Sequence, residues 1–221
     1  MNVLEVAKVS YDYISKSGVT HALTDITASF CSGKMYALTG RSGSGKTTLL
    51  SLLAAFDKPK SGEISIDGQC ISSLNPSNYR RKYIGMVFQS YNLILHLTAL
   101  ENVMIPLEFS NVKYNERRKK AQELLTRVGL KESLFNKRPQ TLSGGEQQRV
   151  AIARAIASNA PIILADEPTG NLDSENSKKI VDLLKSLAHN NEKCVIIVTH
   201  AEDVASEADV RLNMSDGKLI N

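Results

Sequence analysis

The residues from Gly40 to Thr48, GRSGSGKTT, satisfy the pattern G-x-x-x-x-G-K-[ST] and lie between a buried apolar run and the apolar LLSLLAAF of an expected helix. Gly40, Gly43 and Gly45 let the backbone fold its N–H groups around phosphate oxygens, and the helix N-terminus adds the positive end of its dipole. Lys46 is expected to reach the β and γ phosphates and Thr47 to ligate magnesium, with Arg41, Ser42, Ser44 and Thr48 completing the loop. The plain alternative is a glycine-rich turn that merely joins a strand to a helix. The lysine and the strand and helix on either side argue instead for nucleoside triphosphate binding.

A second set of residues could supply the chemistry on that phosphate. In APIILADEPTGNLD, Asp166 closes an apolar run and is placed to hold magnesium, directly or through water. Glu167 beside it can orient and deprotonate an attacking water, the competing reading being a cap on the next helix. Crowded acids are expected to have raised carboxyl pKa values, the direction that suits a base at neutral pH. Gln89 is read as the end of the strand-like GMVFQ, able to touch both magnesium and the water. His200 is read as the end of VIIVTH, donating a hydrogen bond to the γ-phosphate. That reading has both strands lying beside the strand that precedes the phosphate loop.

These residues need elements to hold them. MYALTG, IILAD and VIIVTH are continuous apolar runs, the pattern of parallel strands covered on both faces. Ligands of such sheets gather at the carboxyl ends of the strands, so the three runs deliver their polar ends to one place. NVLEVAKVSYDY and GEISIDGQCI alternate instead, the second turning at Asp67-Gly68, and predict an antiparallel layer. Between YIGMVFQ and IILAD the pattern turns helical: Thr98 and Glu101 have capping-box spacing, and Ala121, Leu124, Leu125 and Val128 share a face. Residues 90–158 are therefore read as a helical lobe inserted into an α/β core. Ile180, Leu183, Leu184 and Leu187 mark a later helix, and SDG at 215–217 a last hairpin.

Bulk properties bound the reading. A chain of 221 residues favours one domain, and 42% hydrophobic with 23% charged residues is an ordinary globular composition. The net charge of +4 is mild and does not call for nucleic acid. Cys31, Cys70 and Cys194 are odd in number and scattered, which argues against a disulfide framework or a zinc site and suits a reducing compartment. No apolar stretch nears the roughly 20 residues that cross a bilayer, and MNVLEVAKVS lacks a signal peptide's basic start and apolar run. Work at a membrane is expected to need another chain.

TLSGGEQQRV, residues 141–150, has two adjacent glycines before a helix but no lysine. With it the order of motifs resembles the ATP-binding cassette (ABC) ATPases over essentially the whole chain, LSGGE at Leu142 to Glu146 standing where that family has its signature motif. The resemblance implies an α/β fold, a P-loop NTPase (RecA-like) core with an antiparallel β subdomain and the inserted helical subdomain, residues 1–221 forming one nucleotide-binding domain for ATP and Mg2+. Ser143, Gly144 and Gly145 open a helix with Ile152 and Ile156 on its buried side, so N–H groups and dipole point at an anion. By resemblance that anion is the γ-phosphate of ATP held by a second copy, head to tail, with Glu146 counted in the same contact and Asp173 of GNLDS signalling between the two sites. Joining two subunits takes about 5.5 kcal/mol, and hydrogen bonds to charged groups contribute about 1.5–3 kcal/mol each, so two γ-phosphates are sufficient glue. The family also stacks an aromatic ring on adenine. Tyr11 and Tyr13 both qualify, alternation putting them on one face, and the spacing to HALTDI favours Tyr13.

DEPTGNLDS, LTALENVMIPL and LLAAFDKPKSGEI look like the lipoprotein-release, macrolide and antimicrobial-peptide exporter, and cell-division ATPases, whereas amino-acid importers usually read SALDP where this chain has Gly170 to Ser174. Lys34 and Glu146 depart from the usual glutamate and glutamine. The resemblance implies an integral membrane permease as partner and a peripheral place on the cytoplasmic face of the cell membrane. SYNLILHLTAL after Gln89 is a candidate lining for a groove that takes a permease helix, with core the favoured place for its leucines. An amino-acid-type importer ATPase is the alternative function. A cassette acting on nucleic acid or the ribosome is disfavoured, because coiled-coil or zinc-bearing insertions and a second cassette are all missing.

Overall fold

The two apolar patterns build two different sheets. In the computed structural model, which describes residues 2–15, 18–110 and 112–220, the chain opens with β1 (Asn2–Ser15) and β2 (Gly18–Cys31), an antiparallel pair. The outer limits of the expected domain, residues 1 and 221, lie outside the described residues. Next come β3 (Met35–Thr39), buried at every position, and α1 (Lys46–Leu53). The chain then returns to the first sheet as β4 (Ser61–Ile66) and β5 (Gln69–Cys70), giving the antiparallel order β2-β1-β4-β5. The turn between β4 and β5 has φ of +47° at Asp67 and +79° at Gly68, the left-handed pair that a two-residue hairpin requires and Asp-Gly supplies.

After α2 (Pro76–Tyr83) and β6 (Ile84–Val87) the chain is helical: α3 (Ala99–Glu108), α4 (Tyr114–Arg127) and α5 (Gly144–Ala157). It then enters β7 (Ile162–Asp166), α6 (Ser174–Asn191), β8 (Cys194–Val198), α7 (Glu202–Ser206), β9 (Val210–Ser215) and β10 (Lys218–Ile220). The second sheet runs β10-β9-β3-β8-β7-β6, parallel except for the β9–β10 hairpin. The first turn of α3 is set by the expected capping box: Thr98 Oγ1 accepts from Glu101 N–H, and the Glu101 carboxylate accepts from Thr98 N–H.

Alternation along the buried parallel strands sends side chains to two cores. Met35, Ala37, Ile163, Ala165, Val195 and Ile197 pack with α3, α4, α5 and α6 on one face. Tyr36, Leu38, Ile162, Leu164, Ile196 and Val198 pack on the other face with α1 and the antiparallel sheet. Leu49, Leu50, Leu52 and Leu53 of α1 are fully buried, each contributing about 1.5–3 kcal/mol of transfer free energy. Ala121, Leu124, Leu125 and Val128 share the first core, so the inserted helices and the sheet are packed as one body.

One expected neighbour relation is corrected. β8 lies beside β3, but β6 pairs only with β7 and is the sheet's far edge, because both β7 and β8 insert between it and β3. β6 also ends at Val87, so Gln89 belongs to the loop beyond it and not to the strand itself.

Candidate functional site

Adjacency of β3, β8 and β7 brings Thr39-Gly40, Thr199-His200 and Asp166-Glu167 to one end of the sheet. There a cavity of about 650 Å³ is lined by Tyr13, Ser42 to Thr48 apart from Ser44, Gln89, Asp166, Glu167, His200 and three residues of β2. The loop between β3 and α1 is shaped by missing side chains. A Cβ on Gly40 would sit 2.1 Å from the Met214 carbonyl oxygen, and one on Gly45 2.6 Å from that of Ala22. At Gly43 space is open, and its φ of +79° is the reason for glycine. Gly45 is also the N-cap of α1 and offers no side-chain acceptor, so the helix's first N–H groups are left for a ligand. The Lys46 ammonium, 7% exposed, donates to the carbonyls of Gly40 at 2.9 Å and Arg41 at 2.8 Å, filling the hollow of the loop.

The acids sit on the opposite wall. Asp166 Oδ1 accepts from Thr47 Oγ1 at 3.4 Å. Burial first, then the neighbouring Glu167 carboxylate, push the Asp166 carboxyl above its usual range, with Thr47 and Lys46 pulling the other way. The upward shift expected of crowded acids thus falls on Asp166. A hydroxyl, a raised carboxylate and the nearby Gln89 amide form a hard-oxygen donor set of the kind that Mg2+ takes, and a cation there would offset the crowding. Glu167 caps no helix: α6 begins later, at an N-cap made by Asp173, whose carboxylate accepts from Asn176. Instead, Glu167 Oε1 lies 2.8 Å from His200 Nδ1, a pairing the sequence did not suggest. The Glu167 N–H donates to Val198 and its carbonyl accepts from Gly170, holding it at φ +46°. Gln89 is tethered through its carbonyl, which accepts from Asn171 Nδ2 at 3.1 Å.

Tyr11 and Tyr13 share a face of β1, their rings meeting edge to face at 5.1 Å. They differ in freedom. The Tyr11 hydroxyl donates to Asp57, and that bond, with burial behind it, pushes the phenol up to about 12. Tyr13 is half exposed, lines the cavity, and its hydroxyl lies 3.1 Å from Thr48 Oγ1.

The second glycine loop lies elsewhere; no residue from 141 to 146 lines this cavity. Ser143 caps α5 in a second capping box, its Oγ accepting from Glu146 N–H and the Glu146 carboxylate accepting from Ser143 N–H at 2.8 Å. Glu146 is thus engaged within its own chain, and Gly144 and Gly145 carry the N–H groups that the helix itself leaves without acceptors. A Cβ on Gly144 would meet the Tyr91 hydroxyl at 2.9 Å, and one on Gly145 the Asn176 side chain at 3.0 Å.

Residues 23–170, more than half of the chain, match the family model described as ABC transporter. The chain belongs to the ABC transporter family. This ABC ATPase is 44% identical over 219 residues to the uncharacterized ABC transporter ATP-binding protein YclH of Bacillus subtilis (strain 168), covering 99% of this chain and 96% of that one. It is 42% identical over 222 residues to the macrolide export ATP-binding/permease protein MacB of Hyphomonas neptunium, again over 99% of this chain but only 34% of MacB. Among solved structures, the dimeric post-hydrolysis state of the ATP-binding cassette MJ0796 bound to ADP and Pi superposes with a TM-score of 0.91 at 42% identity, covering 99% of this chain and 97% of that one. MJ0796 comes from Methanocaldococcus jannaschii. ATP is the ligand of this ABC protein and its hydrolysis the reaction.

Sequence reading missed parts of this ABC site. Thr20, His21 and Ala22 of β2 join the cavity wall because β2 pairs with β1, Thr20 standing opposite Tyr13. Nothing in THALTDI marks them; only the strand register does. A groove of about 610 Å³ lies beside β6, and from the stretch after Gln89 it takes Asn92. Arg80, Met86, Phe88, Ile105, Phe109 and Ala155 contribute, whereas Leu93 and Leu100 are buried in the core and Leu95 points outward at 54% exposure.

Proposed function

We propose that this chain is the ATP-hydrolysing subunit of an exporter or mechanotransmission system, two copies closing head to tail on two ATP molecules and driving a separate membrane permease. The observation that carries the reading is the separation of the two anion-binding loops. The Gly144 and Gly145 N–H groups lie outside the cavity that takes the chain's own phosphate, which supports a phosphate presented by another copy. The dimeric state of the MJ0796 cassette supports the same arrangement.

In this reading Lys46 exchanges its loop carbonyls for the β and γ phosphates, and the loop N–H groups from Arg41 to Thr48 bind their oxygens. Tyr13, free where Tyr11 is tied, stacks on adenine. Thr47, Gln89 and Asp166 would hold Mg2+, which would supply positive charge to offset that of the triphosphate. Glu167 takes a proton from water as that water attacks the γ-phosphorus, giving ADP and inorganic phosphate. His200 Nδ1–H donates to the Glu167 carboxylate, and with the ring doubly protonated Nε2–H donates to a γ-phosphate oxygen. Ser143 with Gly144 and Gly145 complete the partner's site, Glu146 acts by holding the cap, and Asp173 sets the start of α6 beside it. Residues 90–158 act as the lobe that carries this loop toward the partner.

The apolar groove beside β6 is the seat for a permease helix. Among the described residues no helix is long and apolar enough to cross a membrane, which fits a subunit held at the cytoplasmic face by its partner. The MacB likeness supports export.

Glu167→Gln tests the core of the proposal. ATP stays bound while turnover falls by about 10²–10⁴-fold, the usual contribution of a general base. The variant elutes at twice the monomer mass with Mg-ATP, and a monomer at saturating Mg-ATP, alone and with the permease, refutes the sandwich.

A further inference from the structure

Gln148 is a polar side chain with no role in the scheme above, yet it is 0% exposed. It lies on α5 one turn beyond Gly144 and Gly145, on the same side of the helix. Its Nε2 donates to the Pro168 carbonyl at 2.6 Å, and its Oε1 is buried with no partner among the described residues. Pro168 directly follows Glu167. Three bonds therefore fix the backbone at the proposed general base: Glu167 N–H to Val198, Glu167 carbonyl from Gly170 N–H, and Pro168 carbonyl from Gln148. Two of these stay within the sheet or the loop. The third alone reaches the helix whose N-terminus carries the second anion-binding loop.

The segment after Glu167 runs along that helix. Gly144 approaches the Asn171 carbonyl, Gly145 the Asn176 side chain, and Gln148 bonds Pro168. Glycine at the first two positions gives contact without a directional bond, so Gln148 is the point where movement of α5 is passed on as a hydrogen bond. A buried amide half satisfied costs stability without adding packing, the mark of a group retained for another purpose.

We propose that Gln148 is a positioning residue that ties the aim of Glu167 to the occupancy of the α5 N-terminus, so hydrolysis begins only when a second copy's phosphate has seated that helix. The inference rests on the sandwich reading.

Gln148→Leu removes the donor and keeps the volume. Its melting temperature is expected to stay near wild type and its KM for ATP within about twofold, while kcat falls between tenfold and a hundredfold, the scale of about 1 Å of misplacement. Gln148→Leu in the Glu167→Gln background should still dimerise with Mg-ATP. Gln148→Glu adds a readout that packing alone does not move. Its buried carboxyl donates to Pro168 only while protonated, so its kcat relative to wild type should climb from about pH 8 to about pH 6. A folded Gln148→Leu with wild-type kcat, or a pH-independent ratio for Gln148→Glu, overturns the relay. Loss of dimerisation on adding Gln148→Leu to Glu167→Gln also overturns it, since Gln148 would then build the interface. Failure of Glu167→Gln alone to dimerise identifies the sandwich as the faulty premise.

Discussion

Glu167 is held in the left-handed region at φ +46° just before a proline, a conformation that costs a non-glycine residue about 1–3 kcal/mol. In that conformation its carboxylate meets His200 Nδ1 at 2.8 Å, and the sequence alone could name both residues but not pair them. The two tyrosines are the complementary case, alike in sequence and separated by their partners. Tyr13→Ala should weaken ATP binding by about 1–3 kcal/mol, the value of one stacked base, while Tyr11→Phe leaves it within about twofold, as a fluorescent-nucleotide titration would read. Asp166 gives a pH test. Burial and Glu167 raise its folded-state pKa, so ionising it opposes folding. Its contribution is most favourable below the ordinary carboxylate range and is lost as pH rises through the folded value. Nucleotide-free Asp166→Asn should therefore melt a few degrees above wild type at neutral pH, with the gap closing near pH 4, while ATP turnover collapses.

At the level of elements, two capping boxes invite direct comparison. Thr98 with Glu101 opens α3, and Ser143 with Glu146 opens α5. Removing either hydroxyl costs about 1 kcal/mol, or about 2–4 °C in melting temperature for a chain of this size. Thr98→Ala should show that loss alone. Ser143→Ala should show it and also lose ATP-dependent dimerisation, because in the proposed sandwich the α5 N-terminus takes the partner's phosphate; calorimetry and light scattering separate the two outcomes. The elements themselves were legible because their signals are local: continuous apolar runs for β3, β7 and β8, Asp-Gly at both tight hairpins, and Thr-x-x-Glu at the start of α3. The position of β6 was not. A short edge strand and a short central strand read alike, since both are apolar over only a few residues, and their order is decided by which crossovers pack. Leu93 and Leu100 after Gln89 are core, the favoured reading of those leucines, although apolarity alone does not say which of two cores receives a side chain.

For the molecule as a whole, one continuous core joins the inserted helices to the sheet, so binding at the α5 N-terminus, the groove beside β6 and the loop after β7 act on a single packed body. Stability should consequently depend on protein concentration in the Glu167→Gln variant with Mg-ATP and not in its absence, as mass action requires of a nucleotide-made dimer. The phosphate loop is drawn from both ends of the chain. Gly40 is moulded against Met214, Gly217 donates its N–H to the Ser44 carbonyl, and β3 takes its neighbours from β8 and β9. A ribosome that has translated the whole GRSGSGKTT motif therefore still holds a nascent chain unable to grip ATP. Grip on the nucleotide thus depends on β9 and β10 as much as on the motif itself.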